Sequence, residues 1–205
     1  MLELLTGAGL AAAAGLNAYI PLLGLGLLAK FTPLVTLPSG WDWLTNDWVM
    51  IVFGVLLVIE LFVDKVPGLD TVNDVLSSVI RPAAGGMVFA AGTGSETVAV
   101  SDPEAFVNSS QFWPVIIGVG IALVPHLLKA VARPALNAVS VGVAAPVAST
   151  AEDGASIALT LLAVLVPVLG ALLAVLAIWL LIRRLRRALR SRRARKAATA
   201  SPSTG

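Results

Sequence analysis

The longest uncharged run in the chain covers residues 154–182 and reads GASIALTLLAVLVPVLGALLAVLAIWLLI. A helix rises 1.5 Å per residue, so about 20 apolar residues suffice to cross the hydrocarbon core of a bilayer. This run of 29 residues is too long for the core of a soluble domain. The chain is 13% charged, about half the fraction usual in soluble domains. We therefore predict an all-α integral membrane protein.

Six apolar segments predict the architecture of the membrane domain. They cover residues 7–29, 48–63, 82–100, 112–128, 130–149 and 154–182. The third and fifth are short or polar enough to be re-entrant. The pattern thus predicts a polytopic transmembrane helix bundle, with six spans or with four full spans plus re-entrant segments. Two sets of three spans would have opposite orientations, as in an inverted repeat. Arg-Pro-Ala at 81–83 and 133–135 is weak support for such a repeat.

The charges divide the chain into a membrane domain, 1–182, and a basic tail, 183–205. The domain carries all twelve acids and five bases, whereas the tail carries nine bases and no acid. Basic residues beside a span stay on the cytoplasmic side. The tail is therefore predicted to be cytoplasmic, partly disordered and in contact with anionic lipids of the bilayer. Nucleic acid is not an expected partner, and a homo-oligomer is an open alternative.

The stretch ELFVDKVPGLDTVNDVLSSVIRP, residues 60–82, places charges between apolar segments. Glu60 lies twelve residues past Trp48, about 18 Å into a core of roughly 30 Å. Asp64 follows at i+4 on the same helix face. Charges at that depth must be paired, protonated or beside water. Two interpretations compete: a salt-bridge layer that orients the helices, or a polar cavity that binds an ion or an anionic headgroup.

Local signals give several further expectations. Asp70 is a candidate N-cap after a break at Pro67-Gly68. Arg81-Pro82 is expected to begin the next span. The single histidine, His126, caps a span end or relays protons.

Other polar residues lie in the first and last apolar segments. Asn17 either bonds a neighbouring helix or marks an unwound point that lines the same cavity. Glu152 and Asp153 are interpreted as a cap of the last helix rather than a catalytic pair.

The chain offers no motif for catalysis or for a cofactor. Cysteine is absent, which excludes disulfides and thiolate metal sites. H-E-x-x-H, G-x-S-x-G and a P-loop are also missing from the sequence. We therefore expect no enzyme, no cofactor and no metal site. The candidate substrate- or ion-binding residues are Asn17, Glu60, Asp64, Lys65, Asp70, Arg81, His126, Lys129, Arg133, Asn137, Glu152 and Asp153.

Three stretches carry a resemblance to a known family: AGLNAYIPLL, ELFVDKVPGLDTVNDVLSSVIRPAAGG and HLLKAVARPALNAVSVGVAAPVASTAEDG. Over residues 5–182 the chain resembles the bacterial membrane proteins grouped as domain of unknown function 4126. The resemblance implies a small multi-pass protein of the bacterial inner membrane, with no established substrate or catalytic residue. It also implies one shared motif set, comprising Asp64, Lys65, Pro67, Asp70, Arg81, Arg133, Asn137, Ser149, Glu152 and Asp153.

The expected function is that of a small transporter or channel-like protein with a polar intramembrane cavity. Glu60 and Asp64 would bind a proton or a cation there. Arg81, Lys129 and Arg133 would balance these acids or hold an anionic substrate. The alternative is a non-catalytic membrane scaffold or interaction protein, in which the charges only hold helices together.

Overall fold

The structure is a computed structural model that describes residues 1–66, 68–94, 107–110, 112–140 and 144–200. These ranges contain seven α-helices, one 3-10 helix (Asp42–Thr45) and no β-strand. The α-helices are α1 (Leu2–Leu16), α2 (Tyr19–Phe31), α3 (Asp47–Val63), α4 (Leu69–Gly92), α5 (Phe112–Ser140), α6 (Ala144–Leu165) and α7 (Pro167–Ala200). The expected all-α class is confirmed.

Three helical segments of the described chain are long and apolar enough to cross a membrane. They are Val72–Gly92 in α4, Phe112–Pro134 in α5 and Ala145–Leu165 in α6. Shorter apolar helices are Leu2–Leu16, Tyr19–Phe31 and the Pro167–Leu180 part of α7. These lengths agree with a membrane helix bundle, although the helix boundaries do not reproduce the six apolar segments drawn from the sequence.

The predicted first span, residues 7–29, is instead a helical hairpin. Backbone dihedral angles at Asn17 are extended, which ends α1 before α2 begins. A Cβ added at Gly9 of α1 would lie 2.7 Å from the Ala163 Cβ, and one at Gly24 of α2 would lie 2.7 Å from the Thr160 Cγ2. Both arms therefore pack on the same part of α6, and α2 runs back beside α1. With 15 and 13 residues, the arms measure about 22 and 20 Å, short of a bilayer core.

The predicted single span at 154–182 is also a hairpin. α6 ends at Leu165 and α7 begins at Pro167, whose missing N–H suits the first position of a helix. A Cβ at Gly170 would lie 2.8 Å from the Ala163 backbone nitrogen, so α7 folds back on α6. α7 then continues through the basic residues to Ala200.

Prolines inside helices overturn two of the predicted boundaries. Pro82 lies within α4, so Arg81-Pro82 does not begin a span, and Pro134 lies within α5. Proline is tolerated in membrane helices because neighbouring groups satisfy the freed carbonyls. The predicted segment 82–100 is described only to residue 94, and the segment 130–149 is divided between α5 and α6.

Close packing of small residues joins α1, α4 and α5. A Cβ added at Gly118 of α5 would overlap the carbonyl oxygen of Gly85 in α4. One added at Gly15 of α1 would overlap the carbonyl oxygen of Ala122 in α5. Small residues let membrane helices approach closely. This contact fixes the three helices that carry Arg81, His126 and Asn17.

Candidate functional site

Ten charged residues from α3 to α6 pair with one another and are here named the charge network: eight form one continuous set of ion pairs, and Lys65 and Asp153 form a separate pair beside it. It contains four cations, three of them at most 5% exposed, and six carboxylates. Its members are Glu60, Asp64, Lys65, Asp70, Asp74, Arg81, Lys129, Arg133, Glu152 and Asp153. They lie where α3 ends, in the first half of α4, in the second half of α5 and midway along α6. Nine of these ten were predicted as site residues.

Arg81 of α4 is fully buried and joins three carboxylates. Its Nη2 and Nε donate to the Glu60 Oε1 at 2.8 and 3.3 Å. Its Nη1 donates to the Asp74 Oδ1 at 3.1 Å, and its Nη2 also lies 3.4 Å from the Asp64 Oδ2. The guanidinium therefore connects α3 to α4 inside the bundle.

Asp64 has three cations within 3.4 Å of one carboxylate oxygen. Its Oδ2 lies 2.7 Å from the Lys129 Nζ, 3.0 Å from the Arg133 Nη2 and 3.4 Å from Arg81, while Asn73 donates to its Oδ1. Burial acts to raise the pKa of Asp64, but the charges of Lys129, Arg133 and Arg81 outweigh it and hold that pKa below its usual range. These contacts favour the ionised form of Asp64 near neutral pH.

Arg133 of α5 extends the network to α6. Its Nη2 donates to the Glu152 Oε2 at 2.7 Å, and the Lys129 Nζ lies 3.0 Å from the same oxygen. On its other edge, Nη1 is 4.0 Å from the Asp70 Oδ2 and Nε is 3.8 Å from the Asp74 Oδ2. Within the described part, both of these nitrogens lack a hydrogen-bond partner.

The tip of the α1–α2 hairpin meets the charge network. The Asn17 Nδ2 donates to the Asp153 Oδ1 at 3.1 Å, and Asp153 also pairs with Lys65 at 3.4 Å. The Asn17 Oδ1 accepts the backbone N–H groups of Tyr19 and Ile20, which caps α2. Asn17 is therefore an interhelical donor, as expected, and it also marks a point where the helix is unwound.

The broken helix also presents a backbone carbonyl to the network. The Leu16 oxygen, at the end of α1, accepts from the Lys129 Nζ at 3.4 Å. Helix C-termini carry partial negative charge, which favours a cation at this position. Free carbonyls at membrane depth are tolerated only where they face protein or a water-filled space, and here a buried lysine satisfies one.

His126 lies inside α5 and is fully buried, so its interpretation as the cap of a span end is wrong. Its Nδ1 lies 3.5 Å from the Arg81 Nη1, and its Nε2 lies 3.1 Å from the Ser78 Oγ. Arginine only donates, so Nδ1 accepts and is unprotonated. The imidazole is therefore neutral in this arrangement, with its proton on Nε2.

Two capping predictions are also wrong. Gly68, with a φ of 93°, is the N-cap of α4, while Asp70 lies in the first turn and its Oδ1 accepts from the Gly68 N–H. A positive φ suits glycine far better than aspartate. Glu152 and Asp153 lie in the interior of α6, because the helix already begins at Ala144. The carboxylates of Glu152 and Asp153 form ion pairs and do not cap a helix N-terminus.

The charge network reaches from one edge of the bundle into its middle. Arg81 lies nine residues past Val72, and Asp153 lies eight past Ala145, counted from the start of each segment that is long and apolar enough to cross a membrane. At 1.5 Å per residue these positions are about 14 and 12 Å along those segments. We call this edge the network side; the loop at 32–46 lies at the opposite side, where Lys30 of α2 pairs with Asp47 of α3.

Sequence reasoning left Asp74, Asn73 and Ser78 outside the site set. Asp74, Ser78 and Arg81 share one face of α4, because they are three or four residues apart. That spacing was the available signal. Asn137 lies in α5, but its side chain is outside the described residues, as is Pro67.

The pocket described below lies away from the charge network. Among the described residues, no group of three or more His, Cys, Asp or Glu is placed to hold a metal ion. A pocket of about 550 Å³ lies at the opposite side of the bundle, lined in part by Lys30, Thr32, Asp42 and Thr45. It contains no network residue.

Comparison with known proteins identifies the family without adding an activity. No curated protein and no solved structure matches the chain. The model of the family described as domain of unknown function (DUF4126) matches residues 4–187. That match includes the hairpin tip, the whole charge network and the first basic residues of α7. With nearly the full chain covered, the protein belongs to the DUF4126 family.

Proposed function

We propose that this chain is a small multi-pass transport protein that moves an ion or a small anionic molecule across a membrane. One observation carries the proposal: a helical hairpin ends, at membrane depth, on a buried network of charges. In transporters, half-helices whose ends point at the middle of the membrane supply the binding groups for ions and substrates. Ionisable groups inside a bilayer are costly, which favours a functional role for them.

The proposed topology has five crossings, α3 to α7, and one re-entrant hairpin, α1–α2. The basic part of α7 leaves the bundle on the network side, which the positive-inside rule assigns to the cytoplasm. The loop at 32–46 then lies outside, as does the N-terminus. In this arrangement the two sets of three segments are unequal, so an inverted repeat is not part of the proposal. The membrane would be the inner membrane of a bacterium, as the family resemblance implies.

Cysteine accessibility tests this topology, because the natural chain contains no cysteine. Single cysteines at Glu3 and Asn46 should react with an impermeant maleimide from the same, outer side. A cysteine added after Gly205 should react only from the cytoplasmic side. Labelling of Glu3→Cys from the cytoplasm would indicate that residues 7–29 cross the membrane as one span, and it would contradict the re-entrant hairpin.

The described arrangement corresponds to a closed state of the transporter. Arg81 is 0% exposed, and Asp64 is 1% exposed. Transport requires that Arg133 and Lys129 exchange partners, so that the network opens to one side. The edge of Arg133 that makes no hydrogen bond among the described residues lies 3.8 to 4.0 Å from Asp74 and Asp70, which gives it such a second set of partners.

Reconstitution into vesicles tests transport directly. A trapped pH-sensitive dye would report H⁺ movement under a potassium diffusion potential, and radiolabelled phosphate would report anion movement. We expect flux above that of empty vesicles, reduced at least tenfold in Arg133→Gln and unchanged in Lys30→Gln. Flux equal to that of empty vesicles with both probes would contradict the proposal.

A membrane scaffold is the second candidate, and the complete pairing of Arg81 favours it. Every guanidinium nitrogen of Arg81 has a partner at 3.5 Å or less. A scaffold would use the network to fix helix orientation, and would bind anionic lipid through its tail or assemble with copies of itself. Under this candidate, network substitutions lower thermal stability in detergent without changing any flux.

A further inference from the structure

Four cations in the charge network face six carboxylates, which gives the network a formal charge of −2 when all of them are ionised. His126 does not offset this excess, because the hydrogen bond from Arg81 requires a neutral imidazole. The Leu16 carbonyl adds further negative potential from the end of α1. A buried excess of this sign is relieved by binding a cation or by protonating a carboxylate.

A metal cation does not suit the network as well as a proton does. Hard cations require several oxygen ligands converging at 2.0–2.6 Å. The closest contacts of the network carboxylates are instead with lysine and arginine, and no metal-binding group occurs among the described residues. A proton needs only one oxygen.

Glu60 differs from the other buried acids in its surroundings. Its Oε1 accepts from Arg81, but its Oε2 is buried and, within the described part, has no hydrogen-bond partner. Asp64, by contrast, is shared by three cations. Every residue of α3 is described, and Glu60 is the one buried residue in that helix. The side chain thus links a peripheral helix to the network through a single cation.

We propose that the proton-binding site of the network is Glu60, with the proton on its carboxylate and Asp64 as a fixed anion. Protonation changes the formal charge of the network from −2 to −1 and weakens the α3–α4 ion pair with Arg81. The charged and titratable groups that act on Glu60 are Arg81 from α4, Lys129 from α5, Tyr19 from α2 and Asp64 just after α3. The inference rests on the proposed function only in making this proton the coupling ion.

Asp74 is the competing candidate for the proton. Its Oδ2 also lacks a hydrogen-bond partner among the described residues. However, Asp74 has Arg133 and Lys129 within 3.9 Å in addition to its bond with Arg81. More positive charge surrounds Asp74 than Glu60, so the proton is held less favourably there.

Infrared difference spectroscopy of the full chain in lipid nanodiscs, titrated in pH, tests the assignment without any transport assay. A buried protonated carboxylic acid gives a carbonyl band that is separate from the carboxylate bands. We expect this band in the wild-type chain and its loss in Glu60→Gln, with retention in Asp74→Asn. Loss in Asp74→Asn together with retention in Glu60→Gln would overturn the proposal.

Isotope labelling keeps the test valid if a variant fails to fold. Glutamate labelled with ¹³C in its side-chain carboxyl, incorporated into the wild-type chain, should shift the band to lower frequency, because the proton is on a glutamate. A band that is unshifted by this label, or the absence of any such band, would overturn the assignment. The absence of flux in vesicles would count against the proposed transport function. The infrared band assigned to Glu60 would still support the proton-binding site.

Discussion

Replacing Arg81 by methionine should destabilise the fold far more than replacing a lysine at the edge of the bundle. Arg81→Met removes the hydrogen bonds to Glu60 at 2.8 and 3.3 Å and to Asp74 at 3.1 Å. Asp64 and Asp74 keep Lys129 and Arg133 nearby, so the orphaned acid is Glu60. Removing one partner from a buried ion pair costs about 3–5 kcal/mol. For a chain of this size, that predicts a fall in Tm of about 6–20 °C.

Thermal unfolding in one detergent, followed by circular dichroism, measures this effect. Lys30→Met is the matched control, because Lys30 pairs with an exposed Asp47 at the opposite side; a partly exposed pair contributes about 0–1 kcal/mol. The double variant Arg81→Met/Glu60→Gln should recover part of the loss, since one orphaned charge is removed. Equal stability of Arg81→Met and Lys30→Met would refute the buried network.

Three further predictions concern packing, pH and topology. Gly118→Ala should destabilise by about 1–3 kcal/mol through its overlap with Gly85, whereas Gly120→Ala, with nothing within 4 Å, should be neutral or gain up to about 1 kcal/mol in thermal unfolding. The contribution of Asp64 to the free energy of unfolding should stay constant while the pH is above the unfolded pKa of aspartate, about 4, and fall below it. Asp64 has a lowered folded pKa, so its contribution is lost on acidification, and Asp64→Asn should flatten that part of the curve; an unchanged curve would contradict this origin. Replacing the bases of 183–196 by glutamine should give mixed orientation, read from labelling of a C-terminal cysteine; a single orientation would show that other charges fix the topology.

The sequence predicted the composition of the site better than the path of the chain. Glu60, Asp64, Arg81 and Arg133 were expected to come together, because an apolar surrounding forces opposite charges to pair. That argument does not depend on how the helices cross, so it held although the predicted helix boundaries were wrong. The sequence also indicated Asn17 as a point where the first apolar segment is interrupted.

The turns could not be predicted, because they depend on neighbouring helices. Pro167 stands in an apolar run without a charge or a glycine beside it, so a kink and a reversal look the same in sequence. The reversal follows from the packing of Gly170 against Ala163. Conversely, Pro82 looks like a helix start, yet α4 continues through it, since the flanking helices hold it in place.

The uneven distribution of cations indicates which part of the network is able to move. Buried ion pairs rarely add stability over apolar residues of the same size, so their presence calls for a role in specificity or in function. Asp64, with three cations, resists any change of state, and it fixes α5 to the end of α3. Glu60 has one direct partner, on a helix with no other buried residue. Neutralising Glu60 therefore removes the one ion pair made from within α3, while Asp64 keeps the end of that helix paired with the network.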